Sequence, residues 1–217
     1  PKVKKKHIII LLVVLGVVVA AAAGWVVSQK IQDKKEQSGQ VETSNVEVKK
    51  EEKPTTVASP LTGREVAPEL AARSVTAVMI ENSVDARPQS GLLEADMVFE
   101  AVAEGGITRL VALFQESQPA YIGPIRSARP YYVDIARTFD AAYVHAGGSP
   151  DALARVSELG VKDMSAFETN GTYDRIDYRA APHNLYSTMP KLDARKTALG
   201  YITSTFTSWK HKNDVPQ

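Results

Sequence analysis

The chain has 217 residues, no cysteine, 26 Lys+Arg against 25 Asp+Glu, and 44% apolar residues. That length supports a domain with its own core, and the lack of Cys excludes a disulfide framework, thiolate metal sites, a cysteine nucleophile and a lipid-modified N-terminal Cys. The formal net charge of +1 averages a basic tail over residues 1–7, a neutral stretch over 28–59, and an acidic part over 60–217 with 16 Lys+Arg against 19 Asp+Glu. Nucleic-acid binding through a basic face is therefore excluded.

Lys2, Lys4, Lys5 and Lys6 make residues 1–7 a basic tail. From Ile8 to Val27, twenty residues carry no charge and no polar side chain except the Trp25 indole. At about 1.5 Å per residue this is about 30 Å of helix, the thickness of a hydrocarbon core. The run predicts a transmembrane anchor with its N-terminus in the cytoplasm, by the positive-inside rule, and everything after Ser28 outside. Ala20–Ala23 offer a small-residue cleavage site, but the apolar region of a signal peptide runs about 7–15 residues. The longer run here favours an uncleaved anchor. Residues 28–59, rich in Lys, Glu, Gln, Ser and Thr and free of aromatics, predict a disordered tether of about 30 Å r.m.s. reach.

Residues 60–210 predict an α/β domain. Ser74–Glu81 is β-rich, and Ala95–Ala103 and Thr108–Gln115, separated by a short Gly-containing link, read as a strand pair. Ser127–Phe139 carries a helical stripe with Ser127 as a candidate N-cap. Asp140–His145 reads as a strand, and Ser149-Pro150 opens a helix that Gly160 ends. A third helix follows Thr188-Met189-Pro190 and stops near Gly200, after which 201–207 is β-prone and 211–217 reads as a linker. The alternation predicts a mixed sheet with helices packed on it.

Arg outnumbers Lys 11 to 5 over residues 60–217 although the net charge there is negative. A planar guanidinium suits two-point recognition of carboxylate or phosphate. Arg87, Arg109, Arg126 and Arg129 stand beside Gly and Pro turns, where scaffolded loops place sites. Structural pairing with Glu81, Glu94, Asp96, Glu100 and Glu104 is the competing reading for each. His145 ends a predicted strand, and Gly147, Gly148 and Ser149 lead from it into a helix N-terminus, a location suited to an anion. The two glycines would let a ligand approach the backbone. His183 and Asn184 lie in a loop stiffened by Pro182. His145, His183, Glu100 and Glu104 are candidate acid–base groups, but no HExxH-type spacing argues for a metal, no GxSxG argues for a serine nucleophile, and no cofactor motif occurs.

PLTG (60–63), ARPQSGLLEADMVFEAVAEGGITRLVALF (86–114), IGPIRSARPYY (122–132), HAGGS (145–149) and PHNLY (182–186) occur in this order. Together they resemble the YerB-like family of bacterial envelope lipoproteins over roughly residues 60–210. The resemblance implies an N-terminal α/β domain without a settled activity, followed by a smaller second domain for which 211–217 would be the linker. The lipobox Cys of lipoprotein members is absent here, so the Ile8–Val27 run is expected to anchor the chain instead. The expected function is binding of an anionic cell-wall-related ligand or an envelope protein partner. The alternative is an envelope hydrolase with His145 as general acid or base and Arg129 as a clamp.

Overall fold

A strand with no polar face has to lie inside a sheet covered on both sides, and Thr76–Glu81, six consecutive buried residues, takes that place. The computed structural model describes residue 25 and residues 55–167 and 171–212. The chain divides into two units, Pro1–Glu51 and Glu52–Gln217. In the first, Trp25 is helical and exposed. The rest of the expected anchor 8–27, the basic tail 1–7, the tether from 28 to 54 and the end 213–217 lie outside the described residues. Among the described residues no helix is long and apolar enough to cross a membrane.

In the second unit the elements are β1 (Val57–Ala58), β2 (Glu65–Val66), α1 (Pro68–Ala71), β3 (Thr76–Glu81), β4 (Met97–Glu104), β5 (Ile107–Phe114), α2 (Pro130–Thr138), β6 (Ala142–His145), α3 (Pro150–Glu158), β7 (Lys162–Ser165), β8 (Asp174–Arg175), β9 (Leu185–Tyr186) and α4 (Met189–Leu199). Five of the strands form one mixed sheet in the order β4-β5-β3-β6-β7. The pairs β4/β5 and β5/β3 are antiparallel, and β3/β6 and β6/β7 are parallel. This is the mixed sheet with packed helices that the sequence predicts. On one face α2 and α3 bury Tyr132, Val133, Ala136, Ala152 and Val156 against Ala77, Met79, Val111, Leu113 and Tyr143. On the other, α4 buries Met189 and Leu192 against Val78, Ile80, Ala112, Phe114 and Val144. Each fully buried aliphatic or Phe side chain contributes about 1.5–3 kcal/mol, so the two apolar layers supply the main drive to fold.

The β4–β5 hairpin turns on Gly105 and Gly106, at φ 55° and 78°, the positive values a two-residue turn matched to the strand twist requires. Its register sets Arg109 opposite Glu81 of β3. Tyr132 of α2 pushes its hydroxyl into the β4–β5 ladder, accepting the Ala101 N–H at 3.0 Å and donating to the Arg109 carbonyl. Burial moves this phenol up to about 12, so it remains a donor at neutral pH.

Four expectations change. The helix expected from Ser127 begins at Pro130, because a residue before proline is driven into extended backbone. Arg129, at φ −134° and ψ 151°, is the N-cap in place of Ser127. The β-prone stretch 201–207 is not a strand, since side chains rather than a ladder take its polar groups. Ser204 Oγ accepts from the Val75 N–H and donates to the Asp140 carbonyl, both at 2.9 Å, and Lys162 Nζ donates to the Thr203 carbonyl at 2.6 Å. Phe206 then packs on Phe139 with ring centroids 5.5 Å apart. The stretch is thus a strap across the starts of β3, β6 and β7. The tether's expected end at residue 59 also moves, because Val57 and Ala58 already pair with Val66 and Glu65. At the far end His211 lies against Gly63. Finally, β7 is an edge strand that polar Lys162 and Asp163 conceal from a reading of hydrophobic pattern.

Asp140 holds the strap. It sits at φ 47°, and its carboxylate accepts from Lys162 Nζ at 2.7 Å and from the Thr205 N–H at 2.9 Å. Burial alone would raise its pKa, but these two bonds outweigh that and the pKa is lowered. A lowered carboxyl stabilises the fold above its unfolded-state pKa, and that contribution disappears as pH falls through the folded-state value. Asn tolerates the left-handed backbone, so Asp140→Asn isolates the charge. We expect it to cost about 2 kcal/mol at neutral pH and much less at about pH 2, measured by urea unfolding. An equal loss at both pH values would assign the effect to the backbone instead.

Candidate anion-binding site

In an open α/β sheet the crevice that takes ligands lies beyond the C-terminal ends of the parallel strands, where neighbours connect in opposite directions. Here β3 leads to β4 and β5 on one side and β6 leads through α3 to β7 on the other. The reversal therefore falls between Glu81 and His145. The segment Ile122–Ala128 lies in that gap. The Arg126 N–H donates to the Met79 carbonyl at 3.0 Å and the Arg126 carbonyl accepts from the Ala146 N–H at 3.0 Å. Ala128 N–H donates to the Gly147 carbonyl at 2.8 Å and Glu81 N–H to the Pro124 carbonyl at 3.0 Å. Backbone bonds on both sides thus fix where Arg126 and Arg129 stand.

By the two-residue period of a strand, Glu81, Arg109 and Tyr143 face the same side of the sheet as Met79 and Val111. Glu81 is buried, and its Oε1 accepts from Ser83 Oγ at 2.9 Å. Arg126 Nε lies 3.2 Å from Glu81 Oε2, and His183 Nδ1 lies 3.0 Å from Oε1. Both are ion-pair distances without hydrogen-bond alignment. Arg109 donates through Nη1 to the Ser127 carbonyl at 2.7 Å and through Nη2 to Glu104 Oε2 at 2.8 Å. Burial lowers its pKa while Glu81 pulls the other way, and a guanidinium stays charged regardless. Arg129 pairs with the second Glu104 oxygen and donates to the Ala128 carbonyl at 2.6 Å.

The Tyr143 phenol is pushed up by burial. Among the described residues seven buried side-chain N or O atoms lack an aligned hydrogen bond, and four of them are Glu81 Oε2, Arg126 Nε, His183 Nδ1 and Tyr143 Oη. Buried polar groups are ordinarily paired. Their concentration at one sheet edge, with three guanidiniums facing two carboxylates, leaves unused donor capacity where an anion would bind.

The His145 turn is engaged internally. Its imidazole is completely buried, with Nδ1 2.8 Å from the Gly147 carbonyl and Nε2 2.8 Å from Asp163 Oδ1 on β7. Neither ring nitrogen is left for a substrate. A Cβ at Gly147, which has φ 65°, would come 2.7 Å from the Phe167 ring, and one at Gly148 would come 3.2 Å from both Ala128 and Leu153. The space over these glycines is therefore taken by the protein's own side chains rather than left to a ligand. Ser149 Oγ accepts from the Ala152 N–H as the N-cap of α3.

The remaining candidates are spread out. Arg87 is exposed and bonds Asn82 through Nε and Nη2, both at 3.1 Å. Asn184 is buried between Arg175 and the Ile176 carbonyl. Glu100 accepts from Thr108 Oγ1 at 2.6 Å and Asn82 Nδ2 at 3.1 Å. Thus Arg109, Arg126, Arg129, Glu104 and His183 come together around Glu81, whereas Arg87, Glu100, Asn184 and the His145 turn have other partners. Among the described residues no group of three or more His, Asp or Glu is arranged to hold a metal ion. Tyr143 and Asp163 escape sequence reasoning: a Tyr in an apolar strand reads as core, and Asp163 becomes informative only once β7 is placed beside β6.

Removing His145 leaves Asp163 without its cation. We expect His145→Ala to cost about 3 kcal/mol, the lower end for breaking a buried pair, because Asp163 is itself 30% exposed. Thermal unfolding checks this, and a variant as stable as the parent would remove the clamp role.

Residues 61–202 match a family described as the N-terminal domain of a protein of unknown function, DUF3048. Over 144 residues the chain is 39% identical to YerB of Bacillus subtilis (strain 168), which bears a lipoprotein name; the match covers 66% of this chain and 44% of that protein. A crystal structure of Bacillus subtilis YerB superimposes with a TM-score of 0.66 at 37% identity, covering 70% of this chain and 53% of that one. The chain thus spans about half the length of these relatives.

Proposed function

The chain belongs to the DUF3048 family, and on that premise we propose that its folded part is a membrane-tethered, extracytoplasmic domain that binds an anionic ligand of the cell wall. The lipoprotein name of its relative and the Lys-flanked apolar run Ile8–Val27 both support attachment to a membrane with the domain outside. The observation that carries the binding reading is the Glu81 edge. There Arg109, Arg126 and Arg129 meet only Glu81 and Glu104, beside buried polar atoms that lack aligned bonds. A site of this composition favours an anion over a cation or an apolar ligand.

Binding is the better reading than hydrolysis because both nitrogens of His145 are occupied. One observation favours the enzyme alternative. His183 presents Nδ1 to Glu81 and its Nε2 makes no hydrogen bond among the described residues, so a proton-transfer role would belong to His183 rather than His145.

The test keeps charge and removes geometry, since Lys cannot reproduce a two-point guanidinium contact. The full chain carrying Arg126→Lys and Arg129→Lys is expected to lose at least tenfold in affinity for isolated cell walls bearing anionic polymers, about 1.4 kcal/mol or more, with its melting temperature within a few degrees of the parent. Unchanged wall binding would refute the assignment, and a collapse in melting temperature would make the two arginines structural.

A further inference from the structure

We propose that Glu104 is a built-in occupant of the Arg109–Arg129 cradle, a latch on the β4–β5 hairpin that a ligand carboxylate displaces. This rests on the reading that the Glu81 edge binds an anion, and it names the chemistry of that anion. Glu104 divides its two oxygens between two guanidiniums, Oε2 on Arg109 and Oε1 on Arg129. The cradle is thus already shaped for one carboxylate group.

The two sides of this contact differ in how firmly they are held. The Arg109 side chain is 7% exposed and is fixed by the Ser127 carbonyl. That carbonyl belongs to the segment bonded between β3 and β6. Arg129 is half-buried and adds its own bond to the Ala128 carbonyl. The Glu104 side chain is 51% exposed, and both of its ion pairs go to the cradle.

Glu104 also ends β4 where the ladder register shifts between Val102 and Glu104. Gly105 and Gly106 follow, both at positive φ with open space around them. The arginines are the fixed half of the contact and the hairpin acid is the movable half. If Glu104 leaves, two guanidiniums remain beside a buried Tyr143 hydroxyl that has no aligned partner. A ligand carboxylate restores the charge one for one. A phosphate dianion would instead place an extra negative charge close to Glu81, which sits opposite Arg109 in the sheet. The ligand group that fits is a single free carboxylate such as the C-terminus of a peptide or acyl amino acid.

The probes are N-acetylglycine and inorganic phosphate, titrated separately into the full chain and followed through the arginine Nε–Hε resonances. A latch closed nine parts in ten lowers apparent affinity about tenfold. Glu104→Gln is therefore expected to bind N-acetylglycine about tenfold more tightly than the parent. Adding Arg129→Lys should cancel the gain. Equal or weaker binding by Glu104→Gln overturns the latch, and a larger gain for phosphate than for N-acetylglycine overturns the carboxylate assignment. Should Glu104→Gln fold poorly, Glu104→Asp, which withdraws the acid by one methylene, must show a smaller gain in the same direction; no gain refutes the latch. Because the probes are read at the cradle itself, failure to bind cell walls would leave this result intact, so the two proposals fail separately.

Discussion

Arg126 donates its backbone N–H to the last turn of one parallel strand and accepts through its carbonyl from the residue after the next, and that pair of bonds governs much of the molecule. It inserts the segment 122–128 between the C-terminal ends of β3 and β6, where a sheet of this topology would otherwise leave a crevice. With the insertion in place, Arg129 must be extended before Pro130, so α2 starts where it does and lays Tyr132 into the β4–β5 ladder. The same bonds set the Ser127 carbonyl where Arg109 reaches it. One length of backbone thereby positions three guanidiniums.

Burying those charges has a physical cost that the surroundings offset only in part. An isolated ion moved into a protein interior is penalised by several kcal/mol, and Glu81, Arg109 and Tyr143 are all buried. Glu81 is compensated by Ser83, Arg126 and His183, and Arg109 by Ser127 and Glu104. The compensation is uneven. Where sequence and fold otherwise agree, a cluster of imperfectly satisfied polar groups marks a place selected for something other than stability. At the opposite edge Asp140, Lys162 and Ser204 make well-aligned short bonds, and the strap they hold closes the starts of the same strands. One edge of the sheet is sealed and the other is electrostatically under-filled.

Much of this was legible in the amino-acid order. The strand pair around Gly105-Gly106, the Ser149-Pro150 start of α3 and the Thr188 start of α4 follow from local chemistry that tertiary context did not override. The Arg residues at Gly and Pro turns were visible as candidates, because guanidinium chemistry and turn chemistry are both local. Which of them act together was not. Arg87 and Arg126 look alike in sequence, yet one bonds exposed Asn82 and the other meets buried Glu81. His145 invited a catalytic reading from its strand-end position, and only the neighbouring strand shows that Asp163 takes its second nitrogen.

The sequence by itself determined the element types, the hairpin, most helix starts and the presence of a Lys-flanked apolar run, since periodicity, proline and glycine act over a few residues. The tertiary structure alone decided the pairing of the charges, because those pairs join residues far apart in the chain. Glu81 meets His183 and Arg109 meets Ser127 through strand order and register, which no local pattern encodes. It also decided the fate of 201–207: β-prone side chains do not make a strand when side chains such as Asp140 and Ser204, rather than a free ladder, supply the hydrogen-bond partners.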